Sequence, residues 1–244
     1  MDTLIPIELP QLILSHADFL SQIRIRCVCK LFYAKLEIND FYYIGQYSAL
    51  LTDSILQSYP FITKLNAFRA LKITDVNHLT RLQVLNAYDY CGISDHSIRS
   101  NTNLVELVAC SNHKITNVNH LTKLRALHAN WDCGIDNYGI QNLNLKELSI
   151  SYNPFITNLN HMTRLENLNV KGTAGVDDAG IRDLTNLKEL YVDDNTRITN
   201  VNHMTNLEIL HASRSCGIDF DGIRDLKLKE LYSAGNAKIN NTTF

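Results

Sequence analysis

Residues 115–129 read ITNVNHLTKLRALHA, and residues 156–170 repeat this phrase as ITNLNHMTRLENLNV. Two further copies begin at Ile73 and Ile198. A second phrase, of the type IDNYGIQNLNLKEL, alternates with the first. Its copies begin at Ile93, Ile135, Val176 and Ile218. Successive starts lie 20–22 residues apart, so the chain is built from two alternating units of about 21 residues.

The apolar residues of each unit follow one template, L-x-x-L-x-(L/V/I/A)-x-x-N-x-x-I. One unit shows it in full, with Leu145, Leu148, Ile150, Asn153 and Ile156. Nine copies align within residues 61–239. The alternation around the central leucine has period two, which predicts a short strand with one buried face. Because one unit cannot bury its own leucines, the units must stack into a solenoid.

This pattern resembles leucine-rich repeats, and the resemblance covers residues 61–239. It implies an α/β solenoid, a horseshoe with a parallel β-sheet on its concave face. The second phrase, with its recurring CGIDxxGI, is similar to the cysteine-containing type of these repeats. The regular, asparagine-rich style is also similar to that of repeat proteins of large DNA viruses and amoebae.

An asparagine fills the ninth template position in alternate units. These residues are Asn112, Asn153, Asn195 and Asn236. We expect each amide to pair with backbone groups of neighbouring turns that would otherwise be buried without a partner. The other units carry Tyr90, Asp132, Thr173 and Ser215 at this position. We expect these polar groups to replace half of the asparagine ladder.

The composition of the 244 residues restricts the classes of function. The chain is 45% hydrophobic and 20% charged, with a net charge of −2, so it has no basic footprint for nucleic acid. No apolar run approaches the roughly 20 residues of a membrane span. Asp2, Pro6 and Pro10 do not suit a signal peptide. We therefore expect a cytoplasmic or nuclear protein that binds neither nucleic acid nor membrane.

Residues 1–38 do not follow the repeat and show helical spacing instead. So short a segment rarely folds alone, so we expect it to dock on the first turn of the solenoid or to bind a partner. It resembles the F-box, a three-helix motif that binds the Skp-type adaptor of cullin ubiquitin ligases. The resemblance implies adaptor contacts from Ile5, Pro6, Glu8, Leu9, Ile13, Leu14, Val28, Cys29 and Phe32. The chain departs from the family phrase at Ile5, Ala17, Gln22, Cys27 and Phe32, where leucine or tryptophan is usual.

The two resemblances divide the chain into an F-box-like segment (1–38), a junction or N-terminal cap (39–60) and nine leucine-rich repeats (61–244). They imply a substrate-recognition subunit of a Skp–cullin–F-box ligase in the ubiquitin-conjugation pathway, with a target protein on the concave face. The alternative is a structural or interaction module whose N-terminal helices only cap the solenoid. A viral origin would place this module in the host cytoplasm.

Histidines and cysteines recur at fixed repeat positions, but their spacing does not suit a metal site. His78, His120, His161 and His203 are two units apart, about 10 Å, so one ion cannot bridge them. Cys91, Cys133 and Cys216 fail in the same way for zinc and for disulfides. No nucleophile–base pair, phosphate loop or carboxylate pair stands out. The sequence thus predicts a protein that is not an enzyme and that needs neither a cofactor nor a metal.

Two kinds of outward position are predicted from the strands. The first alternates in charge from strand to strand, which favours cross-strand pairing: Lys146, Glu166, Lys188, Glu208 and Lys229. The second is rich in aromatic and charged residues, which are enriched at binding hot spots. We predict target contacts from Trp131, Tyr152, Tyr191, Asp193, Asp194, His211, Arg214 and Tyr232. Exposed tyrosines are also ordinary strand residues, and this alternative stays open.

The expected core of that target site is a flat aromatic ridge. Tyr191, His211 and Tyr232 occupy one position on three consecutive units, at roughly 4.8 Å steps. A ridge flanked by charge suits a peptide or protein surface better than a small molecule, which favours an enclosed apolar pocket.

Overall fold

The computed structural model describes residues 11–12, 17–27 and 36–240. Within them, ten short strands form one parallel sheet in the order of the sequence, each pairing with the next. The strands are Asp40–Phe41 (β1), Lys64–Asn66 (β2), Val84–Asn86 (β3), Glu106–Val108 (β4), Ala126–His128 (β5), Glu147–Ser149 (β6), Asn167–Asn169 (β7), Glu189–Tyr191 (β8), Ile209–His211 (β9) and Glu230–Tyr232 (β10). The expected open parallel sheet is confirmed.

Short helices and turns carry the chain from one strand to the next. The α-helices are Phe19–Arg26 (α1), Asp53–Gln57 (α2), Asp95–Ile98 (α3), Asn137–Ile140 (α4), Asp178–Ile181 (α5) and Ala237–Asn240 (α6), and Gly45–Leu50 form a 3₁₀-helix. Helices α3, α4 and α5 lie in units of the second phrase, where an acidic or hydroxyl residue caps each start. Units of the first phrase return through turns.

One continuous apolar core runs behind the sheet. The central leucine of each strand lies directly beside that of the next, for example Leu85 beside Leu107 and Leu127 beside Leu148. The central leucines of β2 to β9 are 0–1% exposed, whereas Leu231 of the last strand is 40% exposed. Burying one leucine contributes about 1.5–3 kcal/mol, so the stacked leucines provide most of the drive that holds the units together.

The sheet begins one strand earlier than the repeat pattern predicts. The nine predicted units correspond to β2–β10, whereas β1 lies in the stretch assigned to the junction. Phe41 pairs with Leu65 and is 1% exposed, so it takes the place of a central leucine. The repeat pattern misses β1 because this strand has only two residues and no repeat phrase follows it.

Helix α1 packs on the open start of the solenoid. Asp18 caps it by accepting a hydrogen bond from the Ser21 amide at 3.0 Å. Phe19, Ile23 and Ile25 lie against the core, and the Phe19 ring centre is 5.0 Å from that of Phe41. Among the described residues, no helix is long and apolar enough to cross a membrane.

The asparagine ladder forms as predicted. Asn153 is fully buried, and its Nδ2 donates to the carbonyls of Ala129 and Ile135 in the preceding unit, at 2.9 and 3.2 Å. Its Oδ1 accepts from the Phe155 amide at 2.9 Å. Asn112 and Asn236 make the same set of bonds. The side chain thus satisfies buried backbone groups on two successive turns.

The prediction for the alternate units is wrong. Tyr90, Asp132, Thr173 and Ser215 are exposed and replace nothing in the ladder. The buried place is taken by the next residue along the chain, namely Cys91, Cys133, Ala174 and Cys216. Burial raises the pKa of the Cys133 thiol to about 12, so this group stays a neutral packing element.

A second set of polar bonds, on the surface, explains why the first phrase is so constant. Asn119 Nδ2 donates to the Tyr138 carbonyl in the next unit, and its Oδ1 accepts from the Asn142 amide. Thr116 donates through both its amide and its hydroxyl to the carboxylate of Asp95 in the preceding unit. The residues of one ITNVNH phrase therefore connect three successive units.

Candidate functional site

The predicted aromatic residues form a stack rather than a flat ridge. Tyr191, His211 and Tyr232 lie on β8, β9 and β10, with ring centres 4.4 and 4.2 Å apart and nearly parallel planes. The Lys171 ammonium lies 5.0 Å from the Tyr191 ring centre and extends the stack by one strand. The strand spacing brings neighbouring rings face to face, so their edges, not their faces, point outward.

Glutamates orient the two tyrosines of this stack. The Tyr191 hydroxyl donates to Glu189 at 3.2 Å, and the Tyr232 hydroxyl donates to Glu230 at 2.6 Å. The bond to Glu230 raises the pKa of Tyr232, and partial burial followed by the charge of Glu189 raises the pKa of Tyr191. Both phenols therefore stay neutral, and the stack is held rigid at its outer edge.

Five of the predicted contact residues lie in turns and not on strands, and four of these share one turn position. Trp131, Tyr152, Asp194 and Arg214 each follow the central leucine by four residues and have φ between +58° and +60°. Their amides donate to the next unit, as from Trp131 to the Ser151 carbonyl at 2.8 Å. The strand alternation ends before this position, so the sequence pattern could not assign it.

The left-handed turn position constrains its side chains. A non-glycine residue there costs about 1–2 kcal/mol, and glycine occupies the position in only two units, at Gly172 and Gly235. Tyr152 projects from this position over Gly172, where a Cβ atom would collide with the tyrosine ring. The Gly172 backbone thus forms the floor on which the Tyr152 ring lies.

Ion pairs fix the charged residues around the stack. Arg214 contacts Asp194 at 3.1 Å, and Lys171 contacts Asp193 at 2.9 Å. Asp193 also accepts a hydrogen bond from the Ser213 amide at 2.8 Å. Burial alone would raise the pKa of Asp193, but Lys171 and the Ser213 amide outweigh it and lower that pKa. The carboxylate therefore stays charged and in place.

These side chains line a shallow, open groove of about 600 Å³ at the end of the sheet near β10. Six of the eight predicted target contacts line it: Tyr152, Asp193, Asp194, His211, Arg214 and Tyr232. Tyr191 supports the groove by stacking on His211. Trp131 lies apart, with its ring centre 6.0 Å from that of Tyr88.

Three residues were missed by the sequence analysis, one in the groove and two beside Trp131. Lys171 lines the groove and occupies the same repeat position as Asp193, one unit earlier. The opposite charges at this position on neighbouring units could have identified Lys171 from the sequence. Phe68 and Tyr88 stack at 5.2 Å beside Trp131. Phe68 and Tyr88 occupy the same template position in the first two units. The first unit departs from the repeat phrase, so the sequence pattern did not reveal this aromatic pair.

The predicted charge pairing along the amino-terminal ends of the strands is confirmed for three of the four neighbouring pairs. Glu166 contacts both Lys146 and Lys188, at 3.0 and 2.9 Å, and Lys229 contacts Glu208 at 2.8 Å. Hydrogen bonds from Lys188 and then Lys146 lower the pKa of Glu166 to about 2. We call this line of side chains the amino-side rim. These residues directly precede the strands rather than lying in them.

The predicted adaptor contacts lie outside the residues that the structure describes. These are Ile5, Pro6, Glu8, Leu9, Ile13, Leu14, Val28, Cys29 and Phe32. Across the described ranges, no three histidine, cysteine or acidic side chains gather where a metal ion could bind. His120, His161 and His203 instead each contact a backbone carbonyl of the preceding unit.

Comparisons with known proteins support the fold. No family model matches the chain, and no curated protein matches it. Among solved structures, an internalin (InlF) from Listeria monocytogenes aligns over 85% of this chain and 71% of its own, with a TM-score of 0.52 and 20% identity. The TLR13–ssRNA13 complex aligns over 91% of this chain and 42% of its own, with a TM-score of 0.48 and 17% identity. Together with the parallel sheet, the internalin match shows that the chain folds as a leucine-rich-repeat solenoid.

Proposed function

We propose that this chain is the substrate-recognition subunit of a Skp–cullin–F-box ubiquitin ligase. Residues 1–38 bind the adaptor, and the groove near β10 binds a target protein. In this role the chain acts in the cytoplasm or nucleus and catalyses nothing itself, because other subunits supply the chemistry. The observation that carries target binding is the groove, which gathers six residues selected from the sequence for their contact chemistry.

The form of the groove favours a protein ligand. Its aromatic rings are already stacked and its carboxylates are already paired, so little side-chain freedom is lost when a partner binds. The groove is open, and Lys171, Asp193 and Arg214 place charges in its wall, whereas small-molecule sites are enclosed and mostly apolar. Tyrosine and arginine at its edge are typical of protein-binding hot spots.

Adaptor binding is tested by co-purification with a Skp-type adaptor. We expect the wild-type chain to form a complex at micromolar concentration and the double substitution Ile13→Asp with Val28→Asp to abolish it. Circular dichroism should show that the solenoid of the variant remains folded. A wild-type chain that binds no adaptor at micromolar concentration contradicts this half of the proposal.

Target binding is tested in the groove itself. We expect Tyr191→Ala with Tyr232→Ala to weaken capture of the target, identified by mass spectrometry of co-purified proteins, about tenfold or more. Loss of the ring stack should lower stability by only about 1 kcal/mol. Tyr138→Ala is the matched control, because Tyr138 is an exposed tyrosine of helix α4, away from the groove. Equal capture of the target by the double variant and the control would contradict the assignment of this site.

One observation favours a second role for the N-terminal segment. Phe19, Ile23 and Ile25 of α1 pack against the core of the first units, as a cap would. Both roles are compatible in one segment. If deletion of residues 1–38 unfolds the first units and the intact chain binds no adaptor, the segment is a cap alone.

A further inference from the structure

The charge alternation of the amino-side rim ends at Lys146, because the residue at the same position one strand earlier is another cation, Arg125. On β7 to β10 its residues change sign at every step, but Arg125 and Lys146 precede the adjacent strands β5 and β6 and carry the same charge. Like charges directly opposite in a sheet are destabilising. The chain thus places two like charges at adjacent positions here, an arrangement that is absent from the rest of the rim.

A concave pocket lies at this break, and four cations line it. Its volume is about 270 Å³, and the cations are Lys123, Arg125, Lys146 and Arg164. The other lining residues are neutral, so no carboxylate lies in the wall. We call this site the basic rim pocket.

The two arginines of the basic rim pocket have no acidic partner within the described part of the chain. Lys146 contacts Glu166, and Lys123 donates to the Asn103 side chain at 2.6 Å. No carboxylate of the described ranges forms an ion pair with Arg125 or Arg164. By contrast, Lys171 and Arg214 at the groove are both paired. The guanidinium groups of this pocket are therefore available to an external anion.

A phosphate monoester matches this arrangement. Guanidinium groups bind phosphate oxygens in a bidentate manner, and clusters of arginine are a recurring device for binding phosphorylated segments. The phosphate group carries a charge of about −1.5 to −2, which would relieve the repulsion between the neighbouring cations.

We infer that the basic rim pocket binds a phosphoserine or phosphothreonine of a partner protein. A long polyanion is disfavoured because carboxylates surround the pocket: Glu106 and Glu147 lie on β4 and β6, and Glu166 and Glu208 follow along the rim. One compact anion in an otherwise neutral or basic segment avoids these carboxylates. The inference goes beyond the proposed function and holds whether or not an adaptor binds.

The test compares two degenerate peptide pools that are identical except for a central phosphoserine or serine. Binding of each fluorescent pool to the full chain is measured by anisotropy. We expect the phosphoserine pool to bind about tenfold more tightly than the serine pool. Arg125→Gln with Arg164→Gln should remove this difference. Lys229→Gln, in the same rim but paired with Glu208 outside the pocket, is the matched control and should preserve it.

Three results would overturn the inference. The first is equal binding of the two pools by the wild-type chain. The second is an undiminished preference for phosphoserine in the Arg125→Gln, Arg164→Gln variant. The third is tighter binding of a short single-stranded DNA than of the phosphoserine pool, lost in the same variant, which would assign the pocket to a polyanion. Because the substitutions remove repulsion between exposed side chains, the melting temperature should not fall.

Discussion

Two kinds of turn follow the strands of this solenoid, and each buries a different residue behind its strand, asparagine in one kind and usually cysteine in the other. Both follow a strand and pass through a left-handed residue, and both lie between the central leucine and the buried isoleucine or valine eight positions later. In an asparagine turn, such as that of Asn153, the fifth of these positions is buried and bonded to the backbone. In a cysteine turn, such as that of Cys133, the sixth is buried and makes mainly packing contacts.

The difference explains why the two turns alternate. The asparagine side chain donates back to carbonyls of the preceding cysteine turn, as Asn153 does to Ala129 and Ile135. The cysteine turn donates back through the amide of its glycine, as Gly134 does to the Asn112 carbonyl at 3.2 Å. Each kind of turn is thus bonded to the turn before it, the asparagine turn through a side chain and the cysteine turn through a backbone amide. The groove depends on this frame, because Asp193 and Asp194 directly precede the buried Asn195.

The largest expected effect separates the two turns by mutation. Asn153→Ala leaves buried backbone groups without partners on two turns and should lower the free energy of unfolding by about 3 kcal/mol. Cys133→Ala should cost only about 1 kcal/mol, because Ala174 already fills the same position in another unit. Urea titration of both variants measures the difference. Equal costs would mean that the asparagine bonds contribute nothing beyond packing.

A glycine substitution tests the bond from a cysteine turn back to the preceding asparagine turn. A Cβ at Gly134 would lie 2.8 Å from the His113 carbonyl oxygen and 3.0 Å from that of Ile115. Because both neighbours are backbone atoms that cannot rotate away, Gly134→Ala should cost about 2 kcal/mol. A variant that melts at the wild-type temperature would show that the two turns do not approach as closely as described.

A smaller, stabilising effect is expected at the left-handed residue that both turns share. Ser111 has φ of +54°, and its side chain makes no described hydrogen bond. Ser111→Gly should therefore raise the free energy of unfolding by about 1 kcal/mol, because glycine accepts this conformation without strain. Thermal unfolding checks the prediction, and a lower melting temperature would contradict it.

The smallest effect concerns the pH dependence of the amino-side rim, which lies at the opposite end of the strands from both kinds of turn. The pKa of Glu166 is lowered from its ordinary 4.5 to about 2. A lowered folded-state pKa stabilises the fold above the unfolded value and loses that effect as the pH falls from about 4.5 towards 2. Carboxyl titration by NMR should give a midpoint near 2, and a midpoint near 4.5 would show that Lys146 and Lys188 do not hold this group.

The repeat phrases predicted the solenoid because the residues that form its core recur at the same positions in successive units. Central leucines such as Leu148 and ladder residues such as Asn153 carry a period that only stacking satisfies. The same reasoning failed for Tyr90 because it assumed that both kinds of turn bury the same position. It missed β1 because a single Phe41 without a following phrase has no period to detect.

The groove was predictable in composition but not in geometry. Strand alternation correctly placed Tyr191 and Tyr232 on the outer face, but the ring planes depend on the strand spacing and on the hydroxyl bonds to Glu189 and Glu230. Residues in the turns, such as Arg214, lie where the period-two pattern has already ended. Their convergence with the strand residues follows from the left-handed turn, which no local preference of Trp, Tyr or Arg indicates.

The central claim is that buried asparagine amides fix the turns that position the groove, and amide hydrogen exchange tests it most directly. Arg197 has an exposed side chain, but its backbone amide donates to Asn195 Oδ1 at 2.9 Å. Lys114, Phe155 and Lys238 stand in the same relation to their asparagines. We predict that these four amides exchange as slowly as those of the central strands. Exchange of these four at the rate of unprotected loop amides would contradict the claim.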